Sequence, residues 1–191
     1  MDMNEHERLQ LLLLARESIR MRLLDAHELT PTREGFPDDK FWQDRGVFVT
    51  LTEHGELRGC IGTIMPVCPL VQAVASNALS AAFNDPRFEP VEEAEFADLR
   101  IELSLLSPPA ELAFSSPADL QSKLAATRPG VILQCGACQA TFLPQVWEQL
   151  PNVPGFLEAL CHKAGLHTDS LSQPGLSVFT YTVEAFSEEC G

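Results

Sequence analysis

Residues 46–64 read Gly46-Val47-Phe48-Val49-Thr50-Leu51-Thr52-Glu53-His54-Gly55-Glu56-Leu57-Arg58-Gly59-Cys60-Ile61-Gly62-Thr63-Ile64. Gly46 to Thr52 is rich in β-branched and aromatic residues. Leu57 to Ile64 pairs with it across the turn Glu53-His54-Gly55-Glu56, the pattern of a β-hairpin. Pro66 ends the second strand, and Pro69 stands where a helix would begin.

Working outward, Glu5 to Ala26 is expected to be a helix whose apolar stripe is Leu9, Leu12, Leu13, Ile19 and Leu23. Leu70, Val71, Val74, Ala75, Ala78 and Ala82 predict a helix over 70–83 with a small-residue face, stopped by Asp85-Pro86. Leu99 to Leu106 alternates, with Ile101, Leu103 and Leu105 on one side, and reads as a half-buried strand ended by Ser107-Pro108-Pro109. Ser116 is a candidate N-cap for a short helix over 117–125. Val131 to Gln134 and Ala140 to Leu143 form a second hairpin around Cys135-Gly136-Ala137-Cys138. A helix from Gly155 to Ala164 closes at Gly165. Ser177 to Ala185 is the last strand, with Phe179, Tyr181 and Val183 on one face. Strands that come in hairpins rather than in strict strand–helix alternation imply an α+β class with a mainly antiparallel sheet flanked by helices. No linker-like stretch interrupts the 191 residues, so residues 1–191 are expected to form one domain.

Composition narrows the function. Lys and Arg number 13 against 27 Asp and Glu, a formal charge of −14. That excess repels phosphate backbones and anionic lipid, so neither nucleic acid nor a membrane is an expected partner. The apolar run Leu11 to Ala15 is far shorter than the ~18 residues of a span, and Asp2, Glu5 and Glu7 precede it where a signal peptide is basic. A cytoplasmic address is expected. In that reducing compartment the six cysteines (Cys60, Cys68, Cys135, Cys138, Cys161, Cys190) are core filler, metal ligands or reactive thiols rather than a disulfide framework.

Two glycines inside one strand, Gly59 and Gly62, mark a bulge or a close approach to the backbone. In a regular strand Arg58, Cys60 and Gly62 share a face, with Arg58 and Cys60 roughly 6–7 Å apart at the backbone. A fixed cation beside a thiol favours the reactive thiolate. The competing reading is a small buried Cys60 and an Arg58 paired with a structural carboxylate, since free cysteine is among the most buried residue types. Asp85-Pro86-Arg87-Phe88 likewise reads as a helix stop with a core plug, or as a second cation, Arg87, holding an anionic ligand near Cys60. Cys135 and Cys138 with Cys161 and His162 have zinc-ligand chemistry, but adjacent Cys161 and His162 do not easily turn toward one ion. A redox pair of the thioredoxin kind would start a helix, whereas this pair sits at a hairpin tip. No metal and no cofactor are assigned. His6, His27 and His54 are scattered, and the acidic run Glu89 to Asp98 reads as a solvated face.

The chain resembles the AMMECR-type domain, also called AmmeMemoRadiSam system protein A. The likeness rests on Phe48-Val49-Thr50-Leu51, Leu57-Arg58-Gly59-Cys60-Ile61-Gly62-Thr63, Asp85-Pro86-Arg87-Phe88 with Pro90-Val91, and Ile101-Glu102-Leu103-Ser104. It continues through Leu143-Pro144-Gln145-Val146 and Leu160-Cys161-His162-Lys163-Ala164-Gly165-Leu166. The resemblance implies an α+β fold with a larger and a smaller part, a cleft near the Arg-Gly-Cys-Ile-Gly strand, and association with a Memo-like protein and a radical SAM protein. The family's biochemical activity is not established. Two departures stand out. The family's His-Gly pair is replaced by Arg128-Pro129-Gly130, and its Trp after Leu166 by His167-Thr168-Asp169. No role resting on that His or Trp carries over.

Together these readings name Cys60 and Arg58 as candidate catalytic residues and Gly59, Gly62, Thr63 and Arg87 as candidate ligand-binding residues. They stand for a small anionic substrate in an enzyme. The alternatives are a non-catalytic module that presents the same cleft to a partner protein, and a metal-binding protein using Cys135, Cys138 and Cys161.

Overall fold

The computed structural model describes residues 3–25, 27–173 and 175–188. Ala26, Pro174 and Cys190, which the sequence reading uses, lie outside them, as does Asp2. In chain order the elements begin with α1 (Glu5–Asp25), β1 (Val47–Glu53), β2 (Glu56–Thr63), α2 (Leu70–Phe83) and β3 (Leu99–Leu106). They continue with β4 (Ala110–Glu111), α3 (Pro117–Thr127), β5 (Gly130–Cys135), β6 (Cys138–Phe142), α4 (Val146–Gln149), α5 (Val153–Lys163), β7 (Leu176–Tyr181) and β8 (Val183–Ser187). The class is α+β, as expected. The strands form two four-stranded sheets, β2-β1-β3-β8 and β4-β7-β5-β6, and the chain divides into two compact units. One comprises residues up to Pro108 and from Glu184 onward; the other is Pro109–Val183.

In the first unit, β1 and β2 join through His54 and Gly55, at φ of 51° and 89°. Positive φ at both turn residues gives the twist that a two-residue hairpin needs. Val47, Val49 and Leu51 of β1 and Ile101, Leu103 and Leu105 of β3 are fully buried. They share a core with Leu70, Val71, Val74, Ala78 and Ala81 of α2 and with Leu11, Ala15 and Ile19 of α1. The expected stripe on α1 needs correction, because Leu9 and Leu13 are 53% and 55% exposed while Leu11, Leu14 and Ala15 are buried. Leu11 to Leu14 is apolar around the whole circumference, so periodicity there does not choose a face. Two carboxylates tie β8 into this unit. Glu184 accepts from the Met3 amide and Arg8 Nε, and Glu188 pairs with Arg16 and accepts from the Ile101 amide.

In the second unit, Leu120, Leu124, Val131, Leu133, Phe156, Leu160 and Val178 form the core. The Trp147 ring stacks on Phe156 at 3.6 Å, and its indole N–H donates to the Pro129 carbonyl. Ser116 caps α3 by accepting from the Asp119 amide, as its sequence position suggests. Gly130 lies flat under the Tyr181 ring, where a Cβ would come within 2.3 Å of a ring carbon.

The last strand departs most from expectation. Ser177 to Ala185 is not one strand: the chain leaves β7 at Tyr181 and re-enters as β8 at Val183, in the other sheet. The residues expected to complete a single sheet complete two. Among the described residues, no helix is long and apolar enough to cross a membrane.

Candidate functional site: the edge of β2 at Cys60

β2 is an edge strand, so the backbone groups along its outer side have no strand partner. The segment after α2 supplies one. Asp85 is almost completely buried, and its Oδ2 accepts from the Cys60 amide at 2.8 Å. Arg87 Nη2 donates to the Cys60 carbonyl at 3.2 Å. The two side chains are joined to each other, Arg87 Nε to Asp85 Oδ1 at 2.9 Å and Nη2 to Oδ2 at 2.6 Å. The Asp-Pro-Arg stretch therefore closes the sheet edge with a carboxylate and a guanidinium where another strand would offer C=O and N–H. The Arg87 hydrogen bond is the main reason the Asp85 carboxyl sits well below the usual carboxylate range; the Cys60 and Arg87 amides add to it and burial opposes it. Arg87 is raised in turn, chiefly by its hydrogen bond to Asp85, with burial opposing.

Cys60 is half-buried, and the Thr50 hydroxyl contacts its sulfur at 3.3 Å. Thr50 is the register partner of Cys60 on one side and of Glu102 on the other. A thiol, a hydroxyl and a carboxylate thus line up across three strands on one face, neighbours roughly 4.5–5.5 Å apart at Cβ. One pair along, Phe48 faces Gly62, and its ring occupies the space a Cβ would take, 2.3 Å from the nearest ring carbon.

Arg58 lies elsewhere. The register shifts between Leu51 and Thr52, which oppose Gly59 and Leu57, leaving Arg58 as the extra residue of a bulge. The regular alternation expected to set Arg58 beside Cys60 fails at that residue. Its guanidinium instead forks onto Glu95, at 2.7 and 3.1 Å, and donates to the Glu89 carbonyl at 2.9 Å. Each partner holds the other charged, Glu95 below its ordinary range and Arg58 above it. The acidic run is therefore more than a solvated face: Glu95 also accepts from the Glu92 amide in a capping box over the turn Glu93–Glu95.

Of the expected ligand-binding residues, Arg87 meets Cys60, whereas Gly59 and Thr63 face α2. A Cβ on Gly59 would lie 2.2 Å from the Ala81 carbonyl oxygen, and Thr63 Oγ1 accepts from Asn77 Nδ2 at 3.5 Å. Both in-strand glycines thus serve packing, one under a helix and one under a ring. Asp85, Thr50 and Glu102 were not among the expected site residues, although all three fall inside the segments that carry the family resemblance.

Beyond Cys60, a cavity of about 690 Å³ opens beside Thr52, His54, Asp98 and Arg100. At its rim, ligand atoms of Glu53, His54 and Asp98 lie within 4.8 Å of one another. They form the group of metal-binding residue types found among the described residues, and His54 and Asp98 are exposed.

The same fold and family recur among known proteins. A family profile described as AMMECR1 matches residues 12–186. A Methanothermobacter thermautotrophicus protein is 42% identical over 152 residues, 79% of each chain. A Thermococcus onnurineus protein is 39% identical over 186 residues, covering 92% of this chain and 87% of its own. Among solved structures, the uncharacterized protein PH0010 of Pyrococcus horikoshii superposes with a TM-score of 0.80 at 35% identity, over 94% of this chain and 90% of that one. With the match spanning the Cys60 edge and both sheets, the chain belongs to the AMMECR1 family.

Proposed function

We propose that the Cys60 edge is a small-molecule site that takes an anionic ligand, a carboxylate or a phosphate, with Cys60 as nucleophile or proton donor and acceptor. The observation that carries this is the Arg87 guanidinium on the Cys60 carbonyl, fixed from behind by a buried Asp85 and left about half-exposed on its own side chain (52%). A planar fork held by one carboxylate keeps donors free for a second anion. A cation beside a thiol stabilises the thiolate, the form that attacks an electrophile or takes a proton. Thr50 supports the sulfur at 3.3 Å, and Glu102 stands one strand further along the same face. Arg58 acts indirectly, bracing residues 89–95 through Glu95. Gly62 gives the Phe48 ring room beside the site.

An amide-resolved NMR titration with small carboxylates and with inorganic phosphate tests this. Shifts should concentrate at Cys60, Ile61 and Arg87, and Arg87→Gln should weaken binding about tenfold, as loss of one charged hydrogen bond implies. No anion moving the Cys60 and Arg87 amides would overturn it.

The site acts, in this reading, in the cytoplasm with a Memo-like and a radical SAM protein, on the strength of the family resemblance. One observation favours a protein-docking role beside the small-molecule one. Leu57, Met65 and Val67, at the two ends of β2, are exposed large apolar residues, Val67 at 71%. Met65→Asp with Val67→Asp should then abolish capture of either partner while leaving the anion titration unchanged. Unchanged capture would remove the docking role.

A further inference from the structure

The second hairpin carries a pair of thiols that the Cys60 site does not use. The sequence reading sets Cys135 and Cys138 in a four-residue turn, but both belong to strands, and the turn is only Gly136 and Ala137. Gly136, at φ 58°, takes the left-handed position that such a turn needs and that glycine adopts without strain. Cys135 and Cys138 are register partners at the rung that closes the hairpin. Partners across antiparallel strands send their side chains to the same face, with Cα atoms within the range of about 4.4–6.8 Å that a disulfide spans; their Cβ atoms, about 4.5–5.5 Å apart, must draw in to about 3.5–4.5 Å in the closed bond. Both are half-buried, and Gln134, Gly136, Ala137 and Gln139 around them are exposed. Reagents reach the pair from solvent.

The other described cysteines lack such an arrangement: Cys60 sits in β2, Cys68 precedes α2, and Cys161 is buried in α5. Among the described residues, no third His, Cys, Asp or Glu ligand atom joins the two thiols, so two-thiol chemistry fits the pair better than a tetrahedral ion.

We propose that Cys135 and Cys138 form a thiol-modification site that closes reversibly to an intramolecular disulfide by exchange with a low-molecular-weight disulfide. One thiolate attacks a sulfur of the small disulfide, forming a mixed disulfide and expelling one small thiolate. The second protein thiolate attacks the protein-side sulfur, forming the Cys135–Cys138 bond and expelling the other. Two protein thiols are oxidised, one small disulfide is reduced to two thiols, and the two cysteine protons pass to the leaving thiolates. Excess small thiol runs the sequence backward. Transient disulfides of this kind are the ones a reducing compartment tolerates.

The test uses the full chain in glutathione buffers of graded ratio, quenched by alkylation and read by peptide mass spectrometry. The peptide holding both cysteines should lose two hydrogens without carrying glutathione, and dithiothreitol should restore it. Cys135→Ser should instead leave Cys138 carrying glutathione, and Cys138→Ser the reverse. The native chain should close at a glutathione-disulfide ratio about tenfold lower than the chain unfolded in urea, because the hairpin register presets the pair. Stable glutathione adducts on the wild-type pair without hydrogen loss would overturn the proposal. So would closure at the same ratio in both states.

Discussion

Hairpins β1–β2 and β5–β6 are built alike, each closed by a two-residue turn with glycine at positive φ, yet they furnish their cysteines differently. Cys60 lies along an edge strand whose backbone is taken up by Asp85 and Arg87, residues 25 and 27 positions away. Cys135 and Cys138 lie at a tip, with each other as neighbours and polar or small exposed residues around them. One thiol has a hydroxyl beside it and a carboxylate and a guanidinium on its backbone; the other two are surrounded by little except one another. The chemistry expected of a cysteine follows from what the distant chain brings to it, not from its strand.

The largest expected effect comes from removing one strand from the sheet of each hairpin. Residues 1–170 lack β7, which lies between β4 and β5 in one sheet, and β8, the edge of the other. We expect the full chain to melt as one unit and this truncation to lose its cooperative transition by far-UV circular dichroism, since no margin of about 5–15 kcal/mol covers a strand from each sheet. A cooperative melt like that of the full chain would show the final strands to be peripheral.

Gly59→Ala drives a methyl into the Ala81 carbonyl of α2 and should lower stability by about 2–3 kcal/mol in urea titrations, an overpacking cost with no flexible side chain to yield. A loss below about 0.5 kcal/mol would mean that α2 shifts freely over β2.

Asp85→Ala leaves the Cys60 amide and the Arg87 fork without their carboxylate, at about 2 kcal/mol. Asp85 is depressed in the folded state, so its contribution is present above the ordinary aspartate range and fades as pH falls below about 4. Wild type should lose stability there more steeply than Asp85→Asn; parallel acid profiles would rule out Asp85 as a source of that slope. The smallest effect belongs to the other hairpin. Cys135→Ser or Cys138→Ser should change the stability of the reduced protein by less than about 0.5 kcal/mol, as half-exposed substitutions usually do.

Much of the fold is legible in the sequence wherever punctuation is strong. Pro69 and Asp85-Pro86 bracket α2, and Ser107-Pro108-Pro109 ends β3, so both elements run over the expected residues. At Thr182 no glycine or proline marks the switch from β7 to β8, and the alternating pattern continues through it. The site is legible in parts. Cys60 and Arg87 are visible as a thiol and a cation, but their meeting depends on α2 turning the chain back along β2, which no local pattern encodes. Arg58 misleads because a bulge leaves no signature beyond the neighbouring Gly59. Glu95 hides among like charges, since only its partner distinguishes it from a solvated acid.

Site-resolved alkylation of the native chain tests the difference between the hairpins most directly. A short pulse of iodoacetate, with peptide mass spectrometry at Cys60, Cys135, Cys138 and Cys161, compares all four thiols in one sample. The expected result is that Cys60 reacts faster with iodoacetate relative to neutral iodoacetamide than Cys135 or Cys138 does. Arg87→Gln should remove that preference at Cys60 alone, and Cys161 should stay unlabelled until the protein unfolds. Equal preference at all exposed thiols, or an Arg87→Gln chain that labels like wild type, would contradict the assignment of Arg87 as the cation that serves Cys60.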